Sequence, residues 1–149
     1  MIQMPLISER EKYLPCQKPT VLTPQLNEPV RVTEHLKAKR VFTDSKGNIL
    51  VDFGQNLTGL VEIRIRGEKG QKITVRHAET LDQDGVFYPD TLRTAKSEDT
   101  YILNGEEQVL MPHFTFHGFR YAAVEGIENP QPEMFTACVM HSNMRKTGE

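Results

Sequence analysis

Hydrophobic and polar residues alternate with a period of two along most of the chain from residue 30 onward. This is the pattern of β-strands that bury one face, because successive side chains of a strand point to opposite sides. In Gly59–Arg66, for example, Val61, Ile63 and Ile65 share one face and charged residues occupy the other. The pattern predicts strands near residues 30–33, 41–42, 49–53, 59–66, 72–79, 99–103 and 133–141.

Turn signals separate these segments. Asp44–Asn48 predicts a hairpin turn between the second and third strands, and Gly67–Gly70 predicts the next turn. Asn104-Gly105 is the strongest hairpin signal of the sequence. Residues 80–97 form a long connection without a strand pattern of their own.

The run Pro112–Tyr121 concentrates four of the eleven aromatic residues and two of the five histidines. Phe114 and Phe116 alternate with polar residues, and after Gly118 the aromatic positions resume one residue out of step. A slip of one residue at a glycine is typical of a β-bulge or a tight bend. We therefore expect two strand pieces hinged at Gly118, with all four rings directed into the core.

About eight short strands with regular turns and no helical period predict an all-β fold, an antiparallel β-sandwich of the jelly-roll type. Five of the nine prolines lie in residues 1–29, where they disfavour helix and remove strand donors. We expect residues 1–29 to form an extended proline-rich arm and residues 30–149 to form a single β-sandwich domain.

Composition narrows the classes of function. At 149 residues with 38% hydrophobic and 26% charged positions, the chain suits one globular domain. A formal net charge of −2 with mixed signs gives no electrostatic reason to expect a nucleic-acid partner. No apolar run is long enough for a membrane helix, and the first ten residues lack a signal-peptide pattern, so the cellular compartment stays open.

The two cysteines, Cys16 and Cys138, form neither a metal-binding spacing nor a disulfide framework. Cys138 lies in the apolar pattern of the last strand, which favours a buried thiol. A bridge between the two cysteines stays possible at this stage.

Metal sites are weakly supported by the spacing. His77, His113 and His117 could meet in space, yet none stands in a recognised ligand spacing, and His77 shares its strand face with Ile73 and Val75. A hydrogen-bonded core imidazole is therefore the expected role of His77. Asp82-Gln83-Asp84-Gly85 begins like a calcium loop but lacks its later ligands, so an ordinary Asp-Gly turn is expected. We expect no cofactor.

Catalytic signatures are also weak. Glycoside hydrolysis needs two carboxylates across the scissile bond, and no strand offers two acids on one face. The serines lack a nucleophile-elbow motif, and the sequon Asn56-Leu57-Thr58 is of a kind that arises often by chance.

Two polar sets remain as candidate binding residues, and they flank the two glycines Gly54 and Gly118. One set is Asp52, Gln55 and Asn56, and the other is His117, Arg120 and Tyr121. Amides, arginine and an aromatic ring suit sugar binding or docking of another domain. The alternative is internal, with these groups capping strand ends by hydrogen bonds.

Several blocks in series resemble the bacterial α-L-rhamnosidase family of glycoside hydrolases. They are Pro29–Glu34, Val51–Gly59, His77–Asp82, Thr91–Ala95, Asp99–Leu103, the aromatic run continued to Gly126, and His141-Ser142. They follow the order of the family and cover nearly all of residues 24–148. Asp90-Thr91 departs from the Glu-Asn that is common in the family at that place, which puts in doubt the contacts of those two side chains.

The resemblance implies a concanavalin-like β-sandwich that precedes a catalytic (α/α)6 barrel, with the catalytic carboxylates in the barrel. It therefore implies an accessory domain, inactive by itself, of an enzyme that hydrolyses terminal α-L-rhamnosyl bonds with inversion. Its partners would be the barrel and rhamnose-containing glycans. The candidate sugar-rim or docking residues are Asp52, Gln55, Asn56, Arg93, His117, Arg120 and Tyr121. A free-standing carbohydrate-binding module is the alternative, although tryptophan is absent.

Overall fold

Ten strands and two short 3-10 turns make up the fold in the computed structural model, which describes residues 23–145 and 147–148. The strands are β1 (Val30–Lys37), β2 (Arg40–Thr43), β3 (Ile49–Arg66), β4 (Lys72–Ala78), β5 (Thr80–Leu81), β6 (Phe87–Tyr88), β7 (Glu98–Ile102), β8 (Glu107–Leu110), β9 (His117–Glu125) and β10 (Phe135–Ser142). The 3-10 turns are Asp90–Leu92 and Pro132–Met134.

The fold is the predicted antiparallel β-sandwich, built from one sheet that curls over itself. The main path of the sheet runs β1-β10-β3-β9-β4-β7, and β2 and β8 both pair with β3. The 18-residue strand β3 belongs to both halves: its first half pairs with β2 and β9, and its second half pairs with β10 and β8. The inner faces thereby enclose the main apolar core, and a second, smaller buried cluster consists of Leu50, Ala78, Phe87 and Ala123.

The core confirms the alternation read along the sequence. Val61, Ile63 and Ile65 are buried on the inner face of β3, and Ile73 and Val75 are buried on β4. Phe53 and Phe119 meet edge to face at 5.5 Å between ring centroids, a favourable arrangement of two rings. Burial on this scale is the main favourable contribution to folding.

The turn between β2 and β3 forms as predicted. The Asp44 carboxylate accepts hydrogen bonds from the backbone of Lys46, Asn48 and Phe87, and from the Asn48 side chain. Partial burial raises the pKa of Asp44, but these hydrogen bonds outweigh it and bring the pKa down from 3.8 to about 2.

The hairpin predicted at Asn104-Gly105 is wrong. The turn itself exists, since Asn104 Oδ1 accepts from the Glu106 backbone and Gly105 has a φ of 97°. However, β7 pairs with β4 and β8 pairs with β3, so this turn carries the chain between different parts of the curled sheet. A turn signal specifies local backbone geometry but not the partners of the strands that follow.

The expected bulge at Gly118 is also wrong in position. Gly118 pairs in register with Thr58 inside β9, and the irregularity lies in the opposite strand, between Asp52 and Leu57 of β3. Phe119 and Tyr121 are buried as expected. Phe114 and Phe116 are instead exposed, because they precede β9 in a loop, where alternation carries no information about burial.

The ends of the chain are described in part. Residues 1–22, which include Cys16 and most of the predicted proline-rich arm, lie outside the described residues. Residues 23–29 are exposed and contain no strand. Cys138 is buried on β10 as predicted, and burial raises the pKa of its thiol. In the part that the structure describes, no helix is long and apolar enough to span a membrane.

Candidate functional site

Asp52 lies at the edge of the β3 bulge and organises it. Its Oδ1 accepts a hydrogen bond from the Gly54 backbone at 2.8 Å, and Gly54 has a φ of 84°, which only glycine adopts readily. Arg120 donates from Nε to Asp52 Oδ1 at 3.0 Å and from Nη2 to Oδ2 at 3.3 Å. Arg40 Nε donates to Oδ2 at 3.2 Å.

These contacts set the protonation of the pair. Burial acts to raise the pKa of Asp52, but the Arg120 hydrogen bonds, the Gly54 amide and Arg40 outweigh burial and lower it. The same hydrogen bonds raise the pKa of Arg120. The Arg120 guanidinium also lies 5.0 Å from the centroid of the Tyr121 ring. Asp52 and Arg120 therefore form an ion pair across strands β3 and β9 that stabilises the bulge.

The other members of the first polar set face outward. Gln55 and Asn56 are exposed on the bulge, and Asn56 Nδ2 donates to Glu79 Oε1 at 3.3 Å. Arg93 is exposed after the 3-10 turn with a φ of 55°, an uncommon conformation for a residue other than glycine. The structure thus brings Asp52, Arg120 and Tyr121 together and leaves Gln55, Asn56 and Arg93 at the surface.

His117 belongs to a different group, at the start of β9. Its Nε2 lies 3.2 Å from Asp99 Oδ1 and its Nδ1 lies 3.1 Å from Ser97 Oγ. Its ring stacks on the ring of His77 with 4.2 Å between centroids and 21° between planes. The meeting of all three histidines that the sequence left open does not occur, because His113 is exposed in the loop before β9.

His77 is fully buried on β4, as its place in the apolar pattern predicts. Its Nδ1 lies 3.1 Å from the Ser97 carbonyl oxygen, which can only accept, so Nδ1 carries the proton. Its Nε2 lies 3.8 Å from Asp99 Oδ2 and has no hydrogen-bond partner. Burial first, and then the neighbouring His117, lower the pKa of His77 from 6.5 to about 4, against smaller opposing effects of the Ser97 carbonyl and Asp99.

His77, Asp99 and His117 could hold a metal ion, since their ligand atoms all lie within 4.8 Å of one another. Sequence reasoning considered both histidines but missed Asp99. The signal for Asp99 was available only in part: its strand was predicted, but its pairing with β4 was not.

A second feature missed from the sequence is an apolar surface groove, called the aromatic groove below. It is lined by Val30, Val32, Leu60, Met111, Pro112, His113, Phe114, Thr115, Phe116 and Met140. Phe114 is fully exposed with a φ of 61°, and Phe116 is 56% exposed. The signal in the sequence was the density of aromatic residues in Pro112–Tyr121. The alternation wrongly predicted that the rings of Phe114 and Phe116 point into the core.

Comparison with known proteins gives a consistent result. Residues 42–141 match the family described as the bacterial alpha-L-rhamnosidase concanavalin-like domain. Curated relatives named alpha-L-rhamnosidase occur in Streptomyces avermitilis, 40% identical over 88% of this chain, and in an Alteromonas species, 35% identical over 84%. The chain spans only 13% and 14% of the lengths of these relatives.

Solved structures agree with the sequence relatives. The alpha-L-rhamnosidase of Streptomyces avermitilis complexed with L-rhamnose matches with a TM-score of 0.76 and 41% identity, over 80% of this chain and 12% of that one. The native enzyme of Aspergillus terreus matches with a TM-score of 0.76 and 40% identity, over 80% of this chain and 14% of that one.

Proposed function

The chain belongs to the bacterial alpha-L-rhamnosidase concanavalin-like domain family, an accessory and non-catalytic part of those proteins, and on this premise we propose how it acts. It serves a glycoside hydrolase that cleaves terminal α-L-rhamnosyl bonds, and it does so by docking against the remainder of that polypeptide. In line with the resemblance drawn from the sequence, the docking partner is an (α/α)6 barrel that carries the catalytic carboxylates.

The observation that carries this proposal is the aromatic groove. Phe114 and Phe116 are exposed large apolar side chains, and Val30, Val32 and Met111 beside them are between 37% and 47% exposed. Contiguous apolar surface of this kind marks an interaction site in soluble proteins. The left-handed φ of Phe114 costs free energy, and such conformations cluster where function retains them.

The place of the groove in the fold favours a partner in the same polypeptide. Val30 at the start of β1 pairs with Ser142 at the end of β10, and Val30 also lines the groove. Chain that continues from either of these strands therefore begins beside the groove. In the relatives the matching region is about one eighth of the length, so ample flanking polypeptide exists there to cover such a surface.

The candidate polar residues divide by role within this proposal. Asp52, Arg120, Tyr121 and His117 support the domain from within, through the contacts given above. Gln55, Asn56 and Arg93 are exposed and are the members available to contact the barrel or a rhamnose-containing glycan at its rim.

The test of docking compares the same substitutions in two contexts. Phe114→Ser with Phe116→Ser should leave the thermal midpoint of the 149-residue chain nearly unchanged, because both rings are exposed. In the full parent polypeptide the same pair should lower the thermal midpoint and shorten the lifetime of rhamnosidase activity. Ile102→Ser is the matched control, since Ile102 is 63% exposed on the edge strand β7, outside the groove.

Two results would contradict the proposal. Equal thermal stability of the Phe114/Phe116 variant and the Ile102 variant in the full polypeptide would exclude a docking role for the aromatic groove. Hydrolysis of an aryl α-L-rhamnoside by the 149-residue chain alone would remove the accessory role.

A further inference from the structure

We propose that His77, Asp99 and His117 form a binding site for a divalent transition-metal ion such as Zn²⁺. The proposal is independent of the docking role, and it rests on the arrangement of these three side chains. They come from three adjacent strands, since β9, β4 and β7 are neighbours in the sheet. An ion held by all three would tie the edge strand β7 to the interior of the sheet.

The first argument is the unpaired nitrogen of His77. Because Nδ1 donates its proton to the Ser97 carbonyl, the neutral ring presents a bare lone pair at Nε2. This lone pair faces another acceptor, Asp99 Oδ2, at 3.8 Å; the His77 side chain has no exposed surface and that of Asp99 is 9% exposed. Two acceptors that face each other with so little access to water repel unless a cation lies between them.

The second argument is the geometry of the donors. His77 Nε2 and His117 Nε2 lie 3.8 Å and 3.2 Å from the two oxygens of Asp99. Two ligands on a tetrahedral zinc ion, each about 2.0–2.1 Å from the metal, are about 3.4 Å apart. The observed separations lie on both sides of this value, and all three ligand atoms lie within 4.8 Å of one another. Closure on one ion requires the two stacked rings, now 21° from parallel, to tilt so that both Nε2 atoms point at it.

The third argument concerns the hydrogen bonds that orient the two histidine rings. A histidine that ligates through Nε2 ordinarily donates its Nδ1 proton to a carbonyl or another acceptor, which orients the ring. Ser97 already accepts the Nδ1 proton of His77 at its carbonyl oxygen, and its hydroxyl is placed to accept the Nδ1 proton of His117 in the metal-binding form. Two imidazoles and one carboxylate suit zinc and its neighbours better than calcium or magnesium, which prefer oxygen ligands.

The protonation that the site requires follows from these contacts. Binding at both Nε2 atoms needs the proton of each ring on Nδ1. His77 already has this form, whereas His117 must transfer its proton from Nε2, where it faces Asp99, to Nδ1, where it faces Ser97. The side chains of Asp99 and His117 are each 9% exposed, so an ion can reach the site from their edge.

The experiment is a titration of the untagged 149-residue chain with Zn²⁺ at pH 7.5, followed by calorimetry and by the ¹⁵N resonances of the histidine rings. We expect one ion per chain and a shift of the Nε2 signals of His77 and His117. Asp99→Asn and His117→Gln should each weaken binding at least about tenfold. His141→Gln is the matched control, since His141 is exposed on β10 and away from the cluster, and it should leave binding unchanged.

The ring resonances are measured on the wild-type chain, so this readout does not depend on whether the variants fold. Zinc binding that survives Asp99→Asn and His117→Gln would place the ion on surface histidines and overturn the proposal. An Nε2 shift of His77 that appears on acidification but not with zinc would show that a proton fills the gap, and it would equally overturn the proposal.

Discussion

The ion pair between Asp52 and Arg120 should be the strongest polar coupling across the β3 bulge. The side chain of Asp52 is 5% exposed and accepts two hydrogen bonds from Arg120, which is 37% exposed. Hydrogen bonds to a charged group contribute about 1.5–3 kcal/mol, and partial exposure of Arg120 reduces this. We therefore expect a coupling free energy of about 1–2 kcal/mol between the two side chains.

Arg40 supplies the internal comparison. It also donates to Asp52, but its side chain is 58% exposed, so water competes for the guanidinium. Exposed ion pairs contribute about 0.2–1 kcal/mol, and we expect the coupling between Asp52 and Arg40 near the lower end.

The assay is a pair of double-mutant cycles measured by urea unfolding at neutral pH. One cycle combines Asp52→Asn with Arg120→Gln, and the other combines Asp52→Asn with Arg40→Gln. Asp52→Asn alone should cost about 2–3 kcal/mol, because it also weakens the hydrogen bond from Gly54. The pKa of Asp52 is lowered by folding, so its contribution is present above pH 3.8 and is lost as the pH falls below that value.

The reasoning fails if the Asp52–Arg120 coupling is zero within error or is smaller than the Asp52–Arg40 coupling. Either result would show that solvent screens the pair in spite of the burial of Asp52. A coupling that persists unchanged well below pH 3.8 would also be inconsistent with a charged Asp52.

Three further predictions follow from the packing. Gly59→Ala should destabilise the domain severely in thermal unfolding, because an added Cβ would overlap the carbonyl oxygen of Cys138 on β10. Gly118→Ala should be tolerated, since its Cβ would meet only Glu79 Oε1 at 3.3 Å. Equal losses of stability in the two variants would refute this reasoning. Phe119→Ala should cost about 3–5 kcal/mol in urea unfolding, while Phe114→Ala should stay within about 0.5 kcal/mol, and a large loss at the exposed Phe114 would contradict its placement. Folding lowers the pKa of Asp44 to about 2, so the contribution of Asp44 to the free energy of unfolding should be lost between pH 3.8 and 2. The Asp44→Asn variant should therefore lose less stability over that range than the wild type. Identical profiles of stability against pH would disprove the role of the turn contacts.

The sequence predicted most of the strands and most of the core because both depend on local periodicity, but it missed β8 and the two-residue strands β5 and β6 inside the predicted 80–97 connection. Val61, Ile63 and Ile65 are inward in any sheet that buries that face of β3, whatever strand lies beside it. The same reasoning failed for Phe114 and Phe116, since an alternating pattern in a loop has no sheet face to which it refers. It also failed at Asn104-Gly105, where the local turn is correct and the strand partners are not.

For the candidate polar residues, too, the sequence identified the residues but not their contacts. The sequence placed Asp52 in one candidate set and Arg120 and Tyr121 in the other, and only the structure joins the three, because Asp52 and Tyr121 pair across β3 and β9. Whether Gln55, Asn56 and Arg93 contact sugar or another domain stays a prediction.

By itself, the sequence determined an all-β domain, the positions of its longer strands and its resemblance to a family, because strand periodicity and ordered blocks are properties of the chain in one dimension. Only the tertiary structure decided where the bulge lies, which aromatic rings face solvent, and that His77, Asp99 and His117 converge. The cluster joins residues 18 to 40 positions apart and the bulge joins residues 62 to 69 positions apart, and contacts at such distances are decided by the packing of the whole sheet rather than by any local segment.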